Sequence, residues 1–221
     1  MARERHFPIP VHRWDAAVPY EEAARRQEES AAEGREALIL CEHAPTITLG
    51  TSAGPGDLAF SSLYYERMGV TVLKSPRGGK ATYHGPGQLV GYPILNLRQR
   101  GMTVHGYMRF LESLMIRLCA EYGVQARRID GKAGCWIGEK KIGFIGVRVR
   151  RGFCFHGFSL NITPQREAFR LIVPCGMPDL HVTSLQEELH DSAPDLRQAA
   201  DRMEELFFEL LAGVDSIRKT A

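Results

Sequence analysis

The stretch Arg77–Leu97, RGGKATYHGPGQLVGYPILNL, constrains this chain more than any other. Four glycines and a proline fall between Gly78 and Gly87, beside Lys80, Tyr83 and His84. Glycine lets backbone approach a bound group closely, at an entropic cost on ordering. A long glycine-rich turn that also carries an ammonium, a phenol and an imidazole is built for more than connection. The apolar run Leu89–Leu97 behind it reads as a strand that anchors the loop's far end. The stretch has neither the GKS/T ending of a P-loop nor the GxGxxG spacing of a dinucleotide site. A phosphate cradle of either standard form is excluded.

The rest of the chain divides around that loop. Pro19 and Gly34 bracket a helix rich in Ala, Glu, Arg and Gln. Ala37–Leu40 and Thr46–Leu49 are two strands with a turn between them, and a short helix falls within Leu58–Met68. Val70–Leu73 is a strand leading into the loop. Thr103 caps the clearest helix, whose stripe of Val104, Tyr107, Met108, Leu111, Leu114, Met115, Leu118 and Tyr122 is core packing that ends at Gly123. Strands take over from Val124 to Ile162, with turns at Gly138–Lys140 and Arg150–Gly152. Prolines around Val173–Pro178 forbid regular structure there. Thr183 or Ser184 caps a short helix, and Pro194–Leu211 forms a last long helix stopped by Gly213.

Period two along Lys141–Arg150 places Lys141, Gly143, Ile145, Val147 and Val149 on one face, with Phe144, Arg148 and Arg150 on the other, provided no bulge intervenes. A lysine at the end of an apolar face either reaches out to solvent or works in a cleft with a lowered pKa.

Composition narrows the function classes. With 28 Lys+Arg against 26 Asp+Glu, the chain lacks the basic excess of a dedicated nucleic-acid binder. Five cysteines, Cys41, Cys119, Cys135, Cys154 and Cys175, form no CxxC pair, which points to reduced thiols in a cytosol. Met1–Trp14 is charged and proline-containing, with Arg3, Glu4, Arg5 and His6, and does not read as a secretory signal. No apolar run approaches the ~18 residues that span a bilayer. A cytoplasmic protein that engages neither nucleic acid nor membrane is expected, organised as one domain over 1–221.

Cys175 is the leading nucleophile candidate, because it sits on a proline- and glycine-flanked turn while Cys119 lies on a core stripe. A thiolate is the reactive form, and Lys141 could supply the cation it needs. His84 and His156 could orient a substrate or act as bases, so a Cys–His hydrolase stays open. A zinc site from His84, His156 and Cys154 or Cys175 matches no known ligand spacing. Arg127, Arg128, Arg148, Arg150 and Arg151 offer a basic surface for an acidic partner.

Four ordered segments carry a resemblance. Arg77–Leu97, Lys141–Val149 (KIGFIGVRV), His156–Ile162 (HGFSLNI) and Ile172–Met177 (IVPCGM), the last followed by Val182–Leu185, closely resemble the octanoyl-acyl-carrier-protein:protein N-octanoyltransferase family, or lipoate–protein ligase B. Weaker agreement includes His43–Gly50, and the similarity spans about residues 10–212. It implies an α+β fold: a biotin/lipoate ligase-like catalytic domain with a mixed, largely antiparallel sheet flanked by helices. Carried over position by position, it implies Cys175 as acyl-thioester nucleophile and Lys141 as its partner. Arg77, Gly78, Gly79, Lys80, Ala81, Thr82, Tyr83 and His84 would line the acyl site. Phe144, Ile145 and Gly146, with Gly157, Phe158 and Ser159, would complete it.

The implied donor is octanoyl-acyl carrier protein. The implied acceptors are lipoyl domains of 2-oxoacid dehydrogenase complexes and the glycine cleavage H protein, and no cofactor or metal is called for. Lys80 stands where the family commonly has Gln, Gly143–Phe144 where it has two small residues, and Cys135 where it has an apolar residue. Phe144 is therefore expected to narrow the acyl channel. An ATP-dependent lipoate or biotin ligase shares the fold but lacks the Pro-Cys-Gly turn; a non-catalytic binding module would not need Cys175 and Lys141 intact.

Overall fold

The computed structural model describes residues 9–164 and 166–220. The charged segment at residues 3–6 lies outside them. Among the described residues, ten strands build two sheets. The larger runs in the order β1 (Val11–Arg13), β2 (Ala37–Cys41), β6 (Gln88–Ile94), β10 (Phe153–Asn161), β9 (Lys140–Arg150), β8 (Lys132–Ile137) and β7 (Arg127–Ile129). The smaller runs β4 (Thr71–Lys74), β3 (Thr46–Leu49) and β5 (Ala81–His84). β1 pairs with β2, and β3 with β4, in parallel; the other pairings are antiparallel. The fold class is α+β, a mixed and largely antiparallel sheet flanked by helices.

Two helices cover one face of the large sheet. These are α3 (Val104–Glu121), whose N-terminus is capped by Thr103 Oγ1 accepting from Gly106 N–H, and, after the short α4 (Leu185–Leu189), α5 (Leu196–Thr220). Leu111, Leu114, Met115 and Leu118 of α3 and Phe207 of α5 are fully buried there against Leu89, Phe158 and Leu160. Burying such side chains stabilises by roughly 1.5–3 kcal/mol each. The opposite face packs Val90, Tyr92, Ile94, Phe153 and Phe155 under α1 (Tyr20–Ala32). The small sheet and α2 (Ser62–Arg67) enclose a third cluster around Ile47, Tyr65, Tyr83 and Phe169. Among the described residues, no helix is long and apolar enough to cross a membrane.

Five features differ from the sequence reading. Ala81–His84 is a strand, not loop, because Thr82 and Tyr83 complete a ladder opposite Thr48 and Ile47. β2 and β3 do not form a hairpin; each pairs in a different sheet. β1 was not visible in three residues beside a proline. α5 continues through Gly213 to Thr220, since one glycine costs only about 1 kcal/mol in a helix.

The fifth difference bears on function. Cys135 faces Gly143, yet its neighbour Trp136 faces Lys141, so Ile142 is an extra residue in β9. This β-bulge reverses the alternation. Lys141 leaves the face it would share with Gly143 and joins Phe144 on the side away from α3.

Candidate active site

Cys175 sits in a single 3-10 turn, Pro174–Gly176, with φ 56° and ψ 17°. A non-glycine residue in the left-handed region costs on the order of 1–3 kcal/mol and persists only where its surroundings hold it there. Here they do. Val173 N–H donates to Asp57 O at 3.0 Å, Gly176 N–H to Val173 O, and Met177 N–H to Pro174 O. Upstream, Leu58 bridges Ile172, and downstream Val182 bridges Lys141. The turn is thus tied on its far side to the strand that bears the lysine.

Lys141 Nζ lies 3.5 Å from Cys175 Sγ and donates to Ala133 O at 2.8 Å. Its ammonium also stands 5.0 Å from the Trp136 ring centroid and 5.1 Å from that of Phe144, within cation–π range. Only 4% of the residue is exposed. Burial pushes the Lys141 ammonium below the ordinary lysine range, while the facing Cys175 pulls it back up. The other four cysteines are buried; Cys175 alone among the five is half-buried.

The pair opens onto a cavity of about 350 Å³ between the small sheet and the large one. Volumes of this order suit a small ligand (~300–1,000 Å³). Of the residues singled out in the sequence, Arg77, Gly79, Lys80, Ala81, Thr82 and His84 reach its wall from one side. Phe144, Ile145, Gly146, Gly157, Phe158 and Ser159 line the other, with Cys175 and Lys141 between. Gly78 and Tyr83 do not line it. Tyr83 turns into the third core cluster against Phe169, and Gly78 bonds its N–H to Val147 O. Gly157 allows close passage: a Cβ there would stand 2.2 Å from Gly91 O.

Arg77 is buried and spent on structure. Its guanidinium donates to Thr48 Oγ1, Thr48 O, Gly78 O and Lys80 O, which staples the glycine loop to β3. Phe144 is held by stacking on Phe169, with centroids 5.3 Å apart. Thr82 Oγ1 and Ser159 Oγ are buried with no hydrogen-bond partner among the described residues, so both hydroxyls remain free.

Tyr20 and Tyr92 were missed in the sequence, and His156 was named without its surroundings. All three line the cavity. Tyr20 Oη is 2.8 Å from Ser75 Oγ and 3.3 Å from His156 Nδ1. Tyr92 Oη is 2.8 Å from His43 Nε2. For Tyr92 the available signal was a tyrosine inside an otherwise apolar buried strand, since its hydroxyl needs a partner; Tyr20, at the start of α1, gave no such signal.

Hydrogen bonding also fixes the form of His84. Asn161 Nδ2–H donates to Thr183 O, so Asn161 Oδ1 accepts from Gln88 Nε2–H at 3.0 Å. Gln88 Oε1 is then the acceptor for His84 Nδ1–H at 2.8 Å, and Nε2 keeps its lone pair. Burial holds His84 well below 6.5, so the ring is neutral. Cys175 has Lys141 rather than an imidazole beside it. Among the described residues, no cluster of three or more His, Cys, Asp or Glu could hold a metal ion.

The lipoyl protein ligase A/B catalytic domain family matches residues 17–208. An octanoyltransferase from Citrifermentans bemidjiense is 46% identical over 176 residues, 78% of this chain and 83% of that protein. One from Chloroflexus aggregans is 44% identical over 193 residues, 86% of each. The chain belongs to the octanoyltransferase family. Its members are acyltransferases, and the chain is an enzyme of that class. Two solved structures share the fold at low identity. A bipartite lipoate protein ligase from Thermoplasma acidophilum gives a TM-score of 0.66 at 16% identity, covering 92% of this chain and 91% of that one. A lipoate-protein ligase A bound with ATP gives 0.66 at 15%, covering 92% and 95%.

Proposed function

We propose that this enzyme moves an octanoyl group from octanoyl-acyl carrier protein to one lysine of a lipoyl domain, through a thioester on Cys175. The observation that carries the reading is the half-buried thiol facing a buried ammonium at the cavity wall. Cys175 thiolate attacks the donor carbonyl, the donor's C–S bond breaks, and the departing thiolate takes a proton from Lys141. The acceptor's lysine amine then attacks the acyl-cysteine. A C–N bond forms, Cys175 leaves as thiolate, and the surplus amine proton returns to Lys141. Each turnover restores both residues.

The cavity-lining residues of the Arg77–Lys80 loop and of β5, with the strands bearing Phe144–Gly146 and Gly157–Ser159, hold the acyl chain in this reading. One catalytic domain carries both half-reactions, in the cytoplasm where carrier protein and lipoyl domains of 2-oxoacid dehydrogenase complexes or glycine cleavage H protein meet. Energy comes from the thioester, so no nucleotide is consumed. Reconstitution with purified donor and acceptor domain tests this. Octanoylation of the acceptor should require the carrier thioester and proceed without ATP. Incorporation of free octanoate only when ATP is present would assign the chain to the ligases of the same fold.

A further inference from the structure

Behind Lys141 lies a carboxylate that the reaction above does not use. Glu112 is on α3, in the middle of the apolar stripe, and only 4% exposed. Its Oε2 accepts from Arg128 Nε at 2.8 Å and Arg109 Nη1 at 3.0 Å, and its Oε1 from Gly134 N–H at 3.3 Å. Gly134 shares its peptide group with Ala133, whose carbonyl accepts from Lys141 Nζ at 2.8 Å. One amide therefore lies between carboxylate and ammonium, its N–H on the first and its C=O on the second. Hydrogen bonds in such a chain polarise one another.

The packing around that amide leaves no freedom. Gly134 has φ 120°, and a Cβ there would stand 2.4 Å from Gly143 O and 2.8 Å from Lys141 Cε. Lys141's ammonium, ringed by Trp136 and Phe144, meets Ala133 O of β8 on one side of the amide, while Glu112 holds the other side and two arginines hold the carboxylate. Burying an ion pair's members in this way is costly without such partners.

We propose that Glu112 is a positioning residue for Lys141, fixing the Ala133–Gly134 peptide so that its carbonyl orients the ammonium toward Cys175. The negative charge favours the protonated lysine, in line with the direction in which Glu112 acts on it. The other charges facing Lys141 are Cys175 from the turn and Lys132, which shares the Trp136 ring at 5.7 Å. Arg109 and Arg128 act behind the carboxylate, Lys80 packs over Gly176, and Arg77 lies near Cys175. Of these cations Lys80 is paired with the buried Asp57, 3.8 Å away, which leaves Glu112 as the carboxylate on the Lys141 side.

Lys141 can be watched directly, because the chain has six lysines. Carbon-13 labelling of lysine, with the Lys141 Cε signal assigned through Lys141→Arg, gives its titration in the intact protein. The titration is read on the unacylated enzyme and needs neither donor nor acceptor, so it separates this inference from the functional reading it rests on. In Glu112→Gln the amide oxygen can still accept from Gly134, but the charge is gone. The Lys141 midpoint should move to lower pH, and the rate of Cys175 acylation by an octanoyl thioester at neutral pH should fall roughly tenfold. Glu112→Asp keeps the charge and shortens the reach; its midpoint should fall less, and it decides the matter if Glu112→Gln does not fold. A Lys141 titration that is unchanged or moves upward in the variant that folds overturns the proposal, whatever happens to thermal stability.

Discussion

Lys141 and Cys175 are 34 positions apart in the chain, and the parallel bridge between Lys141 and Val182 brings the cysteine's own downstream segment onto the lysine's strand. Lys141 N–H donates to His181 O at 2.8 Å, and Thr183 N–H donates back to Lys141 O at 3.0 Å. Thr183 O in turn accepts from Asn161, which reaches His84 through Gln88. The thiol, the ammonium and one wall of the cavity thus share a single buried hydrogen-bonded frame.

Replacing the lysine separates its two duties. Lys141→Met should lower acyl-enzyme formation by about 10²–10⁴, the usual worth of a positioned proton-transfer group. Stability should fall by about 1–3 kcal/mol, because Ala133 O loses its buried donor while Cys175 can take up a proton and shed its charge. Lys141→Arg keeps a cation beside the thiolate but cannot release a proton at accessible pH. It should retain part of the acylation burst while losing steady-state turnover. Rapid-quench kinetics of both half-reactions check this; equal losses in the two would contradict it.

Phe144 lines the cavity with its ring centroid 5.1 Å from the Lys141 ammonium, where the sequence comparison leads to the expectation of a narrowed acyl channel. Phe144→Leu should shift preference toward decanoyl over octanoyl donors by about tenfold in kcat/KM, since each methylene accommodated is worth about 1–3 kcal/mol. The check is a competition between donors of the two lengths. An unchanged ratio would mean that the acyl chain runs elsewhere.

Much of the scaffold was legible beforehand, because α1, α3 and the β8–β9–β10 meander follow hydrophobic period and turn residues. The chemistry of a thiolate and a lysine could suggest pairing Cys175 with Lys141, but only the resemblance singled that pair out, since no local pattern links residues on a turn and a strand. The bulge at Ile142 was invisible for a different reason. An extra residue leaves the alternation intact on either side and shows itself only against the partner strand. Glu112 was hidden by its company, as one carboxylate in an apolar stripe reads as tolerance at the stripe's margin. Tyr83 looked like a site residue because it sits between Thr82 and His84, and the alternation of β5 turns it inward.

Acid should loosen the fold through its buried histidines. Burial lowers His43 and His156 to about 4, from 6.5 in the unfolded chain, and lowers His84 as well. Unfolded chains then bind more protons between those values, so this stabilisation is whole above pH 6.5 and is lost as pH falls toward 4. His43 and His156 each account for about 3 kcal/mol across the whole window, a slope of at most about 1.4 kcal/mol per pH unit apiece. Urea midpoints measured across that window should fall with pH. His156→Asn, which suits the left-handed φ of 58°, should flatten the fall. A midpoint independent of pH in this range would contradict the burial of neutral rings.

Arg148 and Arg150 project from the far end of β9, where Arg150 also pairs with Glu28. If an acidic carrier docks there, Arg148→Glu should slow association at low salt, and the difference should fade as salt rises. Stopped-flow measurement of binding at several ionic strengths is the test. A loss that does not depend on salt would point to damage to the strand.

The most direct test of the central claim is a chase. Enzyme incubated with octanoyl-acyl carrier protein, freed of donor and digested, should carry one octanoyl group on the peptide containing Cys175. The undigested acyl-enzyme, offered apo lipoyl domain alone, should pass that group to a single acceptor lysine in one turnover. An adduct that persists in Cys175→Ala, or an acyl-enzyme that cannot deliver its octanoyl group, would contradict the account.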